Sequence, residues 1–116
     1  MATKNLTAAD FASVTSGDGI VLIDFWAAWC GPCVRFAPTY ERVSEQHPDI
    51  VFAKVDTEAE QALAQELQIQ SIPTIMAIRD GVLVFRQAGA LPEQSLQSLI
   101  SQVRALDMDD VRARAA

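Results

Sequence analysis

The stretch Ile20-Val-Leu-Ile-Asp-Phe-Trp-Ala-Ala-Trp-Cys-Gly-Pro-Cys33 decides how this chain folds. Its first seven residues form an almost continuous apolar run that is short and rich in β-branched and aromatic side chains. Such a run is typical of a strand buried on both faces. A helix is predicted next, from about residue 32 to Gln46, because Pro32 suits the first turn of a helix. The two cysteines therefore lie where a buried strand gives way to a helix.

The chain alternates strands and helices outward from this stretch. Residues 50–55 form the next apolar run. Strand, helix and strand then make a βαβ unit, for which we expect a parallel strand pair and a right-handed crossover. Residues 74–78 and 82–85 flank Asp80-Gly81, which predicts an antiparallel hairpin. The fold class is therefore α/β, with a central mixed β-sheet and helices on both faces.

Smaller elements complete the first two thirds of the chain. A short strand is expected over residues 3–6. Two segments have the pattern of a capping box, Thr7-Ala-Ala-Asp10 and Thr57-Glu-Ala-Glu60, and each predicts the start of a helix. The second of these helices should end near Leu67.

The last helix is predicted to start at Pro92, because an apolar stripe with helical spacing follows it. The stripe consists of Leu96, Leu99, Ile100 and Val103. One domain is expected over residues 1–106. Residues 107–116 form a charged, alanine-rich tail that either frays or extends the last helix.

Length, charge and hydropathy limit the function. The 116 residues are enough for one domain, and the hydrophobic 50% of them can form its core. A net charge of −6 argues against non-specific binding to nucleic acid, which needs a basic face. No stretch approaches the roughly 18 apolar residues of a membrane span, and the polar start of the chain does not resemble a secretory signal. We expect a monomeric, cytoplasmic protein that binds neither nucleic acid nor membranes.

Purely structural roles for Cys30 and Cys33 are disfavoured. A structural zinc site needs four ligands, and the single histidine, His47, lies at a predicted helix end, so no metal site is expected. A structural disulfide is also disfavoured, because closing so short a loop contributes only about 2 kcal/mol in the chain-entropy model. Cytosolic proteins rarely keep such bonds. Inert core thiols fit poorly with the Gly-Pro dipeptide between the two residues.

Redox chemistry fits the two cysteines better. Cys30 would lie at a helix N-terminus, whose partial positive charge and free N–H groups favour the thiolate. Attack by Cys30 on a substrate disulfide would form a mixed disulfide. Cys33, one turn inward and more buried, would then attack that bond and release the reduced substrate. The short spacing makes the second step intramolecular and therefore fast.

Asp24 is the anomaly in its strand. A carboxylate among Ile, Val, Leu and Phe side chains is costly to ionise, so burial should raise its pKa towards neutrality. It precedes Cys30 by six residues, and we predict that it exchanges a proton with Cys33, directly or through water. Lys54, on the next strand, could stabilise the Asp24 charge. From the pattern alone, both residues could instead be exposed positions on their strands.

Other residues near the cysteines could contact a substrate. Trp29 directly precedes the first cysteine and can form exposed contact surface, whereas Trp26 ends the apolar strand and is expected to pack. The Ile72–Pro73 bond is expected to be trans, because only about 5–6% of X–Pro bonds in folded proteins are cis. Gly89 indicates a turn or a close backbone approach.

Several separated motifs resemble the thioredoxin family in their order and spacing. They are Phe25-Trp-Ala-Ala-Trp-Cys-Gly-Pro-Cys33, Ala37-Pro38, Ala53-Lys-Val-Asp56, Ser71-Ile-Pro-Thr74, Asp80-Gly81 and Ala88-Gly-Ala90. The resemblance covers about residues 1–106. It implies the thioredoxin fold, with Cys30 as the nucleophile, Cys33 as the resolving thiol and Asp24 as the buried proton carrier.

The resemblance also implies how the cysteine pair is surrounded. Gly31, Pro32 and Lys54 would tune the redox potential. Pro73 would be cis, contrary to the base rate, and the backbone before it would pair with the substrate like an added strand. An apolar surface would dock the substrate around Cys30, formed by Trp29, Gly31, Pro32, Ile72, Gly89 and Ala90.

The implied function is dithiol–disulfide exchange that reduces protein disulfides in client proteins. A flavin enzyme, thioredoxin reductase, would supply the electrons from NADPH, and no cofactor would bind this chain itself. Two alternatives stay open: a disulfide oxidant or isomerase, and a binding module with idle thiols. The chain departs from common family patterns in ways that bear on its choice of clients and reductase, at Val34, Arg35, Gln68 and Gln70.

Overall fold

The computed structural model describes residues 2–115 of the chain, so residues 1 and 116 of the predicted domain and tail lie outside it. The strands in this range are β1 (Thr3–Asn5), β2 (Ile20–Trp26), β3 (Val51–Asp56), β4 (Thr74–Arg79) and β5 (Val82–Ala88). The helices in this range are α1 (Ala8–Thr15), α2 (Gly31–Gln46), α3 (Gln61–Glu66), α4 (Glu93–Arg104) and α5 (Met108–Ala115).

The strands form one mixed sheet in the order β1-β3-β2-β4-β5. β3 pairs in parallel with both β1 and β2, whereas β4 is antiparallel to both β2 and β5. The parallel pair of the βαβ unit and the antiparallel hairpin are therefore confirmed. In the register of β2 and β3, Asp24 lies opposite Lys54.

β2 is buried on both faces because its side chains alternate between two hydrophobic layers. One layer contains residues of α2 and α4 and includes Ile20 and Leu22. The other contains residues of α1 and α3 and includes Val21, Ile23 and Phe25. Burying each large apolar side chain in such layers contributes about 1.5–3 kcal/mol. Two layers of helices thus cover the central strand, as its apolar run predicts.

Neither predicted capping box forms. The Thr7 hydroxyl donates to the Asp10 carboxylate at 3.1 Å, and the first N–H of α1, at Ala8, donates instead to Glu60 Oε1 at 2.7 Å. The Thr57 hydroxyl donates to the Trp26 carbonyl at 3.0 Å, and α3 begins only at Gln61. Both hydroxyls are engaged by other partners, so neither caps a helix backbone, although both helices exist.

The tail does not extend α4. Arg79 Nη1 donates to the carbonyl oxygens of Val103 at 2.9 Å and Leu106 at 2.7 Å, which ends the helix. Asp107 Oδ1 then accepts two backbone N–H groups of the following turn, as an N-cap does, and α5 begins at Met108. Met108 is buried. The described part of the tail is therefore a separate helix held against the domain.

Gln68 is in a left-handed conformation, with φ of +57°, directly after the last turn of α3. This conformation costs a residue with a Cβ about 1–2 kcal/mol, whereas glycine adopts it freely. The Gln68 side chain is exposed, and the contact of this residue with Arg86 uses its backbone carbonyl. After allowing for the greater freedom of glycine in the unfolded chain, we expect Gln68→Gly to stabilise the protein by about 0.5–1 kcal/mol in urea unfolding.

Gln65→Gly is the matched control for this prediction. Gln65 is also exposed but lies inside α3, where glycine costs about 1 kcal/mol relative to a good helix former. The two substitutions should therefore shift the unfolding midpoint in opposite directions. Destabilisation by both would contradict the strain assigned to Gln68.

Candidate active site

Cys30 and Cys33 lie at the junction between β2 and α2, as predicted. Cys30 is the N-cap residue of α2, with an extended backbone, and Cys33 lies in the first turn. A disulfide joins the two residues, whose Cα atoms are 5.2 Å apart. The Cys33 N–H donates to Cys30 Sγ at 3.2 Å. The helix N-terminus thus directs a backbone donor and its partial positive charge at the first sulfur, and both stabilise a thiolate there.

Burial distinguishes the two cysteines less than expected. Cys30 is 4% exposed and Cys33 is 2% exposed, so the predicted greater burial of Cys33 amounts to very little. Their neighbours differ more clearly. Cys30 Sγ lies 3.7 Å from the Ile72 carbonyl oxygen, in the loop before β4. Cys30 is therefore the cysteine beside the loop expected to pair with a substrate.

Asp24 is fully buried in β2 and is not an exposed strand position. Neither of its carboxyl oxygens has a hydrogen-bond partner among residues 2–115. The pKa of Asp24 is raised from 3.8 to about 7, because the effect of burial, which raises it, outweighs the positive charge of Lys54, which lowers it. The direction of this shift agrees with the expectation that burial raises the pKa of Asp24 towards neutrality.

Strand alternation puts Asp24 on the same face of the sheet as Leu22, which is the face that α2 covers. Tyr40 of α2 packs on that face and donates its hydroxyl to the Ala53 carbonyl at 2.9 Å. Burial, and then the charge of Asp24, raise the pKa of Tyr40 well above its usual value. Asp24 thus faces the helix whose first turn carries Cys33.

Lys54 is half-buried and is not an exposed lysine at a strand end. Its Nζ lies 4.9 Å from the centroid of the Trp26 ring, a distance at which a cation is attracted to the aromatic face. Among the ion pairs of the described residues, none joins Lys54 to Asp24. Lys54 therefore acts on the carboxyl at a distance, and Trp26 packs as expected.

On one side of Cys30, Trp29 and Ile72 line a shallow cavity of about 170 Å³. The Trp29 side chain is 70% exposed, and its Nε1 donates to Glu58 Oε1 at 3.2 Å. An exposed indole held by one hydrogen bond offers an apolar surface with a fixed orientation. No sequence pattern indicates this contact, because Glu58 lies in a segment whose only recognisable pattern is a capping box.

On the other side, the loop before β4 meets the end of β5. The Ile72–Pro73 bond is cis, as the family resemblance implied and contrary to the base rate. Gly89, with φ of +104°, donates its N–H to the Pro73 carbonyl at 2.7 Å. Ala90 and Pro32 line a second cavity, of about 300 Å³. The residues of the expected docking surface therefore come from separate segments that meet around the disulfide.

The described residues show no group of three or more His, Cys, Asp or Glu side chains that could hold a metal ion. No helix within residues 2–115 is both long and apolar enough to cross a membrane.

Comparison with known proteins gives one consistent result. The family model named Thioredoxin matches residues 2–102. The chain is 54% identical to a putative thioredoxin 2 of Streptomyces coelicolor over 98% of its length and 85% of that protein. It is 37% identical to a thioredoxin of Bacillus subtilis over 88% of its length and 98% of that protein.

Solved structures agree with the sequence relatives. A Plasmodium falciparum thioredoxin superposes with a TM-score of 0.79 at 37% identity, over 86% of this chain and 98% of that one. A thioredoxin of Malassezia sympodialis superposes with a TM-score of 0.78 at 35% identity, over 86% of this chain and 89% of that one. Together with the cysteine pair at the N-terminus of α2, these matches show that the chain belongs to the thioredoxin family and is a dithiol–disulfide oxidoreductase that reduces protein disulfides.

Proposed function

We propose that Cys30 is the nucleophile of the reaction. In the reduced protein its thiolate attacks one sulfur of a client disulfide, the client S–S bond breaks, and the other client sulfur leaves as a thiolate that takes up a proton. The product is a mixed disulfide between Cys30 and the client. The observation that carries this assignment is the position of Cys30 at the N-cap of α2, where it accepts the Cys33 N–H.

Cys33 then resolves the mixed disulfide. Its thiolate attacks Cys30 Sγ, the bond to the client breaks, and the second client sulfur leaves and is protonated. Two electrons have passed to the client, and the Cys30–Cys33 disulfide of the structure is the oxidised product. The separation of only 5.2 Å between the Cα atoms supports this step, because the attack is intramolecular.

Asp24 accepts the proton of Cys33, directly or through water, so that Cys33 can attack as a thiolate. A base works best when its pKa lies near the working pH, and burial brings the pKa of Asp24 to about 7. Its two unpartnered oxygens are free to take a proton. Lys54 limits the rise in the pKa, and Gly31 and Pro32 shape the turn that holds the pair, so these three residues tune the redox potential.

Clients bind in extended form along the loop at Ile72 and Pro73, next to Cys30. The distance of 3.7 Å between Cys30 Sγ and the Ile72 carbonyl supports this, because a client backbone held there would bring its disulfide to the nucleophile. Trp29, Gly89 and Ala90 complete the surface. Backbone pairing fixes the client in position with little demand on its sequence.

Electrons return to the disulfide from NADPH through a thioredoxin reductase, whose FAD carries them, so the chain is an electron-transport protein that maintains cellular redox balance. A reducing compartment such as the cytoplasm fits this role. The only two cysteines of the chain form the redox pair, so the fold needs no structural disulfide and no oxidising surroundings.

Substitution of each cysteine by serine separates the two steps. Cys30→Ser should abolish the reduction of insulin disulfides in the presence of NADPH and a thioredoxin reductase, because the thiol that makes the first attack on the client is removed. Cys33→Ser should still attack and should accumulate a mixed disulfide with the client, visible by mass spectrometry. Turnover by Cys30→Ser at the unmodified rate would refute the assignment, provided that circular dichroism shows the variant to be folded.

Asp24→Asn tests the proton transfer. A symmetrical aromatic disulfide releases one coloured thiolate when Cys30 attacks and a second when Cys33 resolves, so both steps can be followed by absorbance. The second release should slow by about tenfold or more at pH 7, a conservative figure for loss of a general base, while the first changes little. It should also lack the rise with pH that we expect of the wild type around the Asp24 pKa of about 7.

Asp18→Asn is the control, because Asp18 is an exposed carboxylate outside the site. It should leave both releases at the wild-type rate. Equal slowing of the two releases in Asp24→Asn would remove Asp24 from the step led by Cys33.

Asp24 also gives stability a specific pH dependence. Because burial raises the folded-state pKa from 3.8 to about 7, the folded protein binds more protons than the unfolded chain between these values. Wild-type stability should therefore fall relative to Asp24→Asn as the pH rises through this window, by on the order of 4 kcal/mol in total. Urea unfolding at several pH values measures the difference.

This prediction concerns how the stability difference between wild type and Asp24→Asn changes with pH, and not the size of that difference at any single pH. The Asp24→Asn variant also buries an unpartnered amide, which costs stability equally at every pH. Asp18→Asn should give a stability curve parallel to that of the wild type. A parallel curve for Asp24→Asn as well would show that the buried carboxyl does not titrate in this window.

A further inference from the structure

The larger of the two cavities beside the disulfide has a cationic wall. Its volume is about 300 Å³, and it lies between the first turns of α2 and the loop that leads into α4. Pro32, Ala90 and Leu91 provide apolar lining, and Arg35 provides the charge. A Cβ built on Gly31 would lie 3.1 Å from Arg35 Nη1, so the guanidinium folds back over the glycine between the two cysteines.

Arg35 is the one arginine within residues 2–115 that has no hydrogen bond or ion pair inside the protein. Each of the others is engaged by a carboxylate or a backbone carbonyl, namely Arg42, Arg79, Arg86, Arg104, Arg112 and Arg114. Arg35 is also exposed. In a chain with a net charge of −6, an unneutralised arginine beside the redox pair is available to a ligand.

The acidic residue at the start of α4 does not neutralise Arg35. Glu93 follows Pro92, which lines the cavity, but its Oε1 accepts from Arg42 Nε at 2.9 Å. No side chain caps the N-terminus of α4, so its backbone N–H groups add partial positive charge at the same edge. This side of the site therefore attracts an anion.

The opposite side has the opposite sign. Glu58, which accepts from Trp29 Nε1, is exposed beside the smaller cavity. A client that lies across Cys30 therefore meets a carboxylate on one flank and a guanidinium on the other. Such an arrangement distinguishes one direction of a charged segment from the reverse.

We propose that Arg35 determines specificity for clients that carry an aspartate or glutamate next to the reacting cysteine, on the side that lies over Pro32 and Ala90. The client carboxylate seats against the guanidinium in the larger cavity and positions the disulfide over Cys30. This proposal rests on the proposed function, and it adds the chemical class of the preferred client.

Paired peptide substrates test the role of Arg35. Disulfide peptides that differ only in Glu or Gln are made at successive positions on each side of the reacting cysteine, and the pre-reduced protein reduces them in single turnovers. At the best position, wild type should prefer the Glu peptide by about two- to fivefold in second-order rate constant, a range typical of exposed ion pairs. Added salt should diminish the preference.

Three variants complete the experiment. Arg35→Gln should bring the ratio of the Glu and Gln rates close to one, whereas Arg35→Lys should keep part of the preference because it keeps the charge. Arg114→Gln removes the same charge from α5, whose Arg112 contacts Asp80 at the end of the sheet away from the cysteines, and should keep the full ratio. A purely structural role of Arg35 would slow both peptides alike and leave the ratio unchanged.

The outcomes separate this proposal from the function on which it rests. If pre-reduced wild type reduces neither peptide, the proposed function itself fails. If it reduces both at one rate, or if the preference survives in Arg35→Gln, the exchange reaction stands and the role of Arg35 is overturned. Survival in Arg35→Gln would assign the anion to another group, such as the N-terminus of α4.

Discussion

The burial of β2 on both faces is the constraint on which the rest of the site depends. Helices cover both sides of this strand, so the side chains of residues 20–25 are all buried. The chain leaves the sheet after Trp26, and the next helix starts with Cys30 as its N-cap. The same burial isolates Asp24. One strand therefore sets both the position of the dithiol and the protonation of the carboxyl that faces α2.

The buried carboxyl of Asp24 is costly for the fold, and the proposed proton transfer accounts for its presence. An apolar residue at this position would complete the core without the cost of a buried carboxyl. Lys54 reduces that cost without removing it, because its Nζ lies over the Trp26 ring and forms no ion pair with the carboxyl. A direct ion pair would hold Asp24 permanently charged and so unable to exchange a proton near neutral pH. The incomplete compensation is therefore what keeps the group titratable.

The parts of the fold that depend on local pattern could be predicted from the sequence, and those that depend on distant contacts could not. The burial of β2 and the position of the cysteines after it could be predicted from the residues of that stretch alone. The capping box at Thr57 failed because its hydroxyl bonds to Trp26, thirty-one residues away. The cis isomer of the Ile72–Pro73 bond was predicted only by the family resemblance, because the base rate favours trans. No local signal could pair Trp29 with Glu58, since only the fold brings them together.

The exposed residues around the site, Arg35 and Glu58, differ from its buried centre in how their replacement affects the fold. The centre is enclosed by two hydrophobic layers, so we expect a change at Asp24 to alter stability as well as the proposed proton transfer. Arg35 is exposed and makes no hydrogen bond within the described chain, so its replacement removes charge while leaving the core intact. Glu58 on the opposite flank is likewise exposed. Under the proposed role of Arg35, single surface substitutions change the choice of clients, while the exchange chemistry beneath them stays fixed by β2.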